Sequence, residues 1–157
     1  MTSFLSNLVK YDFIKYLSLF LSYGYFYLIP IFLFFWIFIS KTKKIHVFLI
    51  LFLSTFSTWI LSEVIKVFTK IERPDVLSQI VHESTFSFPS THSAVSMVLG
   101  VVTYSLNKKL GIILIISSFI IGVSRIILGV HYFVDVFVGW FLGFVVALIF
   151  IRFFKKS

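Results

Sequence analysis

The sequence predicts an all-α, integral-membrane helical bundle of about five transmembrane helices preceded by an N-terminal interfacial amphipathic helix, and three observations predict it. Of 157 residues, 59% are hydrophobic and only 13% charged, where about a quarter of a soluble domain is charged. Mean hydropathy is +1.06, which leaves too few polar residues to cover a water-soluble surface of this size. The charges also cluster, leaving five uncharged runs, each a candidate for a crossing that takes about 20 residues. The same composition excludes disorder, a disulfide scaffold and a nucleic-acid-binding domain.

Residues 1–15 mix Lys10, Asp12 and Lys15 with Phe4, Leu5, Leu8, Val9, Phe13 and Ile14, the pattern of a helix lying in the membrane interface. With no early basic region and no small-residue cleavage site, this segment is expected to be retained. Spans are expected over residues 16–40, 45–62, 93–107, 110–124 and 136–151. Several are short for a full crossing unless the polar residues at one end sit at headgroup level. Residues 1–157 are expected to form a single domain without internal repeats.

Lys41, Lys43, Lys44, Lys108, Lys109, Arg152, Lys155 and Lys156 fall on one side of this arrangement with no acid among them. That side is expected to be cytoplasmic. The other side holds the remaining cations and all the acids, so its formal charge is zero and the whole net charge of +8 is a topology signal. Nucleic acid is not needed to explain it.

Counted at 1.5 Å per residue from the cytoplasmic lysines and arginine, Lys66, His92, Arg125 and Asp135 all lie roughly 24 to 33 Å away, on four different helices. Arg73 and His131 join them from the adjoining turns. Arg125 sits in a long apolar stretch, where an unpaired charge costs about 2.5 to 3.5 kcal/mol. A cluster of cations and histidines at one depth suits an anion, and phosphate is a natural partner.

Three segments carry this cluster: residues 66–74 (KVFTKIERP), 89–92 (PSTH) and 124–135 (SRIILGVHYFVD). They resemble the signature of the type 2 phosphatidic acid phosphatase superfamily, K-x6-R-P, P-S-G-H and S-R-x5-H-x3-D. The first and third match without departure, while Thr91 stands where the family usually has glycine. The resemblance extends from Lys66 to about Gly143 and is similar to small bacterial undecaprenyl-diphosphate phosphatases.

Metal-free cleavage of a phosphate ester needs cations on the phosphoryl oxygens, an in-line nucleophile and a proton donor for the leaving oxygen. Lys66, Arg73 and Arg125 are the candidate phosphate ligands, joined by Ser90 at a helix N-cap and by the backbone N–H groups of Thr91 and His92. His131 and Asp135, four apart, are expected on one helical face, with the carboxylate accepting the imidazole Nδ1–H. The resemblance implies that His131 is the nucleophile, forming a phosphohistidine, that Asp135 fixes its tautomer, and that His92 protonates the leaving oxygen and then activates water. No metal or other cofactor is expected. What Thr91 puts at stake is the width of the phosphate pocket and the rate.

Residues 73–89 form the one sizeable outer loop, read equally as an interfacial lid or as a plain connection. Glu63 is one turn before Lys66 and in position to pair with it. Gly139 and Gly143 have the spacing that lets helices approach closely, which fixes no oligomeric state. The expected partners are the bilayer and a lipid phosphate, with the site on the extracytoplasmic face of a bacterial cytoplasmic membrane. Undecaprenyl diphosphate is the expected substrate; phosphatidylglycerophosphate, phosphatidic acid and lipid A phosphate remain open. The rival from another class is a noncatalytic protein that binds anionic lipid through the same pocket.

Overall fold

A computed structural model of the chain describes residues 12–13, 15–21, 44–74 and 83–155. Four long helices among them are labelled α1 (Lys44–Thr69), α2 (Thr91–Leu106), α3 (Lys108–Ile127) and α4 (Phe133–Lys155). No strand occurs among the described residues. Residues 15–21 are also helical, so helix runs through the junction expected between Lys15 and Tyr16. The rest of the expected interfacial helix and first span lies outside the described residues.

Three of these helices, α1, α3 and α4, are long and apolar enough to cross a membrane. The fourth, α2, has 16 residues and spans roughly 24 Å. It is the centre of the bundle: every residue from Ser93 to Thr103 is buried, and α1, α3 and α4 all pack against it.

Helix ends overrun the expected spans. α1 continues past Ser62 to Thr69, and α3 passes Arg125 to reach Ile127. A charge ends an apolar run by composition, but it does not end a helix whose backbone bonds continue and whose charge finds a partner. α1 stops where Lys70 turns to φ 48°, its N–H bonding the Lys66 carbonyl. Asn107 alone makes the α2–α3 turn: its N–H caps Thr103, and its side chain accepts from Leu110 N–H at 3.1 Å. The turn makes α2 and α3 antiparallel neighbours, as expected of the Asn107-Lys108-Lys109 corner.

Burial is inverted relative to a soluble helix. On α1 the buried stripe includes Ser54, Thr58 and Ser62, and each hydroxyl donates to a carbonyl three or four residues earlier. The opposite face exposes Phe48, Phe52, Phe56 and Trp59, stacked one above another. Small residues inside let backbones approach, while large apolar ones face lipid. Gly139 and Gly143 serve the same end within the chain, since a Cβ at Gly143 would lie 2.2 Å from the Ala94 carbonyl oxygen. α4 therefore runs parallel to α2 in close contact. An apolar groove of about 370 Å³ opens among α2, α3 and α4, lined by Met97, Val101, Ile115, Phe119, Phe137 and Trp140.

Candidate active site

α1 and α3 end, and α2 and α4 begin, at one end of the bundle, and that end gathers the expected residues. Lys66 emerges from the last turn of α1, buried to 5% exposure. Its ammonium donates to Glu63 Oε1 at 2.8 Å and to Thr91 Oγ1 at 2.7 Å. The pairing with Glu63 anticipated from the one-turn spacing is present. Without it a buried ammonium on an apolar helix is strongly disfavoured.

Arg73, beyond α1, has each of its nitrogens engaged. Nε donates to Thr85 O at 2.7 Å, Nη2 to Thr85 Oγ1 at 3.0 Å, and Nη1 to Val130 O at 2.8 Å. Nη1 also lies 3.3 Å from His131 Nε2. A guanidinium can only donate, so this contact is a hydrogen bond only in the tautomer with a lone pair on Nε2 and the proton on Nδ1.

Arg125, at the end of α3, is fully buried. Its Nη2 bonds Glu83, and among the described residues its Nε and Nη1 have no hydrogen-bond partner. The other oxygen of Glu83 pairs with Arg73 Nη2 at 2.7 Å. One carboxylate thus bridges both guanidiniums. Burial works to raise the Glu83 pKa, and the charges of Arg125 and Arg73 outweigh it, so the carboxyl sits below its usual range.

His131 and Asp135 meet, but not as neighbours on one helical face. His131 lies in the turn before α4, which begins at Phe133. Its Nδ1 stands 3.5 Å from Asp135 Oδ2, a long contact. Asp135 Oδ2 accepts shorter bonds, from Ser87 Oγ and from Tyr132 N–H, both at 2.8 Å. The Tyr132 bond is the backward half of a capping box: the third helical residue satisfies the N–H of the residue that starts the helix. Helix capping, not helical periodicity, brings the carboxylate beside the imidazole. Burial pushes the His131 imidazole down to about 4, with Asp135 opposing the shift and Arg125 and Arg73 adding to it.

Ser90 caps α2, as its position in the sequence suggests. Its Oγ lies 3.5 Å from Ser93 N–H and accepts from Ser93 Oγ at 3.0 Å, while its own N–H donates to Asp135 O at 3.0 Å. Thr91 opens the helix with its side chain turned to Lys66 and Glu63. His92 follows, half-buried, within electrostatic range of Arg125, His131, Lys66 and Arg73. All eight expected residues, Lys66, Arg73, Ser90, Thr91, His92, Arg125, His131 and Asp135, therefore lie at one end of the bundle. Glu83, Ser87 and Thr85 were not singled out from the sequence. They sit in the outer loop, whose near-helical apolar spacing at Val76, Leu77, Ile80 and Val81 gives Glu83, Thr85 and Ser87 no role.

This is an α-helical integral membrane protein with a cationic, two-histidine cluster at one end of its apolar helices. The chain belongs to the PAP2 superfamily, whose profile matches residues 47–157. It is 40% identical over 75 residues to the bacitracin transport permease protein BcrC of Bacillus licheniformis, covering 48% of this chain and 37% of that one. It is 39% identical over 95 residues to phosphatidylglycerophosphatase B of Bacillus subtilis, covering 54% and 46%. Undecaprenyl-diphosphatase BcrC of Bacillus subtilis is 34% identical over 74 residues, covering 47% and 38%. The match thus spans less than half the length of each of these curated relatives. Among solved structures, a transmembrane PAP2-type phosphatidylglycerolphosphate phosphatase from Bacillus subtilis aligns at TM-score 0.66 and 26% identity, over 99% of this chain and 75% of that one. Aquifex aeolicus LpxE aligns at TM-score 0.71 and 25% identity, over 96% and 92%.

Proposed function

We propose that this protein is a metal-independent membrane lipid phosphatase working through a phosphohistidine. The observation that carries the reading is the placement of His131, with Arg73 at Nε2 and Asp135 beside Nδ1. Arg73 Nη1 lies 3.3 Å from Nε2, a contact that needs a lone pair there and that an entering phosphoryl group displaces, while Asp135 stands beside Nδ1. Nε2 attacks phosphorus, and the bond to the leaving oxygen breaks as His92 protonates it. Lys66, Arg73 and Arg125, with the N–H groups at the start of α2 and the Ser90 hydroxyl, hold the phosphoryl oxygens. Water, deprotonated by His92, then cleaves the phosphohistidine and releases phosphate. The bridging Glu83 carboxylate supports an anion site between the two arginines, and an entering phosphoryl group takes its place.

The substrate is a lipid whose phosphate sits at headgroup level and whose tail lies among the helices, in keeping with the apolar groove between α2, α3 and α4. Undecaprenyl diphosphate, cleaved to undecaprenyl phosphate and phosphate, heads the list because a relative is named undecaprenyl-diphosphatase. Phosphatidylglycerophosphate follows on the same kind of support, then phosphatidic acid and lipid A phosphate. The chain is read as a single all-α membrane domain, three of whose described helices are long and apolar enough to cross the bilayer. Its site opens to the extracytoplasmic face of a bacterial cytoplasmic membrane.

The test is phosphate release by purified protein in chelator across these four lipids, beside His131→Ala. Release from at least one lipid that falls by about a thousandfold or more in the variant is expected, since loss of a nucleophile removes the covalent route. Lipid binding without release in either protein favours the noncatalytic reading instead.

A further inference from the structure

Glu63, Lys66 and Thr91 close a ring of three hydrogen bonds. Lys66 Nζ donates to Glu63 Oε1 at 2.8 Å and to Thr91 Oγ1 at 2.7 Å, and Thr91 Oγ1 donates to Glu63 Oε1 at 2.9 Å. Two of its members are out of solvent, Lys66 at 5% and Thr91 at 6% exposure, while the Glu63 side chain is 35% exposed. The glycine that the PSTH segment replaces could make none of the Thr91 bonds.

We propose that Thr91 is a positioning residue for Lys66, anchored by Glu63, so that the ammonium is fixed before an anion arrives. This rests on Lys66 being a phosphate ligand. An ammonium has three donors; the ring occupies two and leaves one for the phosphoryl group. A lysine stem has many rotamers to lose, and holding it in advance removes that cost from binding. Glu63 alone would tether the ammonium only along the surface of its own helix, three residues back. Thr91 reaches from α2 and ties Lys66 crosswise to the helix whose next residue is His92. Because the hydroxyl gives its proton to Glu63, its role is exerted through Lys66 and not on the phosphate.

The test is a double-mutant cycle on Thr91→Val, which keeps shape and loses the hydroxyl, in the parent and in Lys66→Met, with Thr91→Ser as rescue. Two readouts are taken in detergent: lipid phosphate release, and the affinity for inorganic phosphate, which needs no chemistry. Thr91→Val should lower kcat/KM and phosphate affinity about tenfold each, the usual scale for a lost bond to a charged group. Thr91→Ser should recover most of that loss, and Thr91→Val should cost nothing further once Lys66 is Met. Thr91→Ala replaces Thr91→Val in the cycle if valine prevents folding. Parent-like behaviour of the hydroxyl-free variant, no rescue by serine, or an equal loss in the Lys66→Met background would overturn the proposal, the last outcome marking a purely structural role. If phosphate affinity follows the expected pattern while no lipid is cleaved, the positioning stands and the reaction does not. A parent protein that binds no phosphate overturns both.

Discussion

His131 is a residue on which pH acts directly. Burial holds its imidazole at about 4, against about 6.5 when unfolded, so the proposed nucleophile is neutral throughout the physiological range. Its share of the pH profile is an acid limb in which kcat/KM falls as pH drops through about 4. An imidazole NMR titration of His131 in the ligand-free protein checks this, and a midpoint near 6.5 would contradict it. Stability has the same sign. The unfolded chain takes up a proton between about 6.5 and 4 that the folded chain refuses, so this contribution is whole above 6.5 and is lost as pH falls toward 4. Residue types at the candidate site were legible in the sequence because chemistry restricts them to cations, imidazoles, a carboxylate and donors at a helix N-terminus. Glu83 was not, because its value lies in two long-range contacts, to Arg73 and Arg125, that leave no trace in local spacing.

At the level of the element, existence was easier to read than extent. Each described helix overlaps an expected span, yet α1 and α3 run past Ser62 and Ser124. The turns beyond those points hold Lys66 and Arg125, residues that look like ends only when counted as charges. The Gly139/Gly143 spacing was legible as a close-approach motif, but its partner was not; that partner is α2 of the same chain. Gly143→Ala should therefore act on folding. Its Cβ would meet the Ala94 carbonyl oxygen at 2.2 Å, forcing α4 off α2 at a cost of about 1 to 3 kcal/mol. Thermal unfolding in detergent checks this: an unchanged midpoint would show that the helices have room to part.

For the whole molecule, class and handling of charge were readable from composition, because a bilayer imposes its rules on every residue that faces it. The proposed sidedness rests on the lysines and arginine gathered, without an acid, at one end of the spans. The chain has no native cysteine, so single cysteines report topology cleanly. An impermeant thiol reagent applied to whole cells should label Ser78→Cys and spare Lys108→Cys until the membrane is opened. The opposite order would invert the protein and put its site on the cytoplasmic face. What composition could not convey is which apolar residues touch one another, since lipid-facing and buried positions are equally hydrophobic by type.

The inverted burial on α1, with serine and threonine inside and phenylalanine outside, also sets how the protein responds to temperature. Parting the helices within a bilayer transfers little apolar surface to water, because Phe48, Phe52 and Phe56 already face hydrocarbon. The heat-capacity change that bends the stability curve of soluble proteins comes from hydrating such surface. Here that contribution is small, so the free energy of helix separation varies almost linearly on heating. Cooling then strengthens the bundle instead of approaching a cold-denaturation limb.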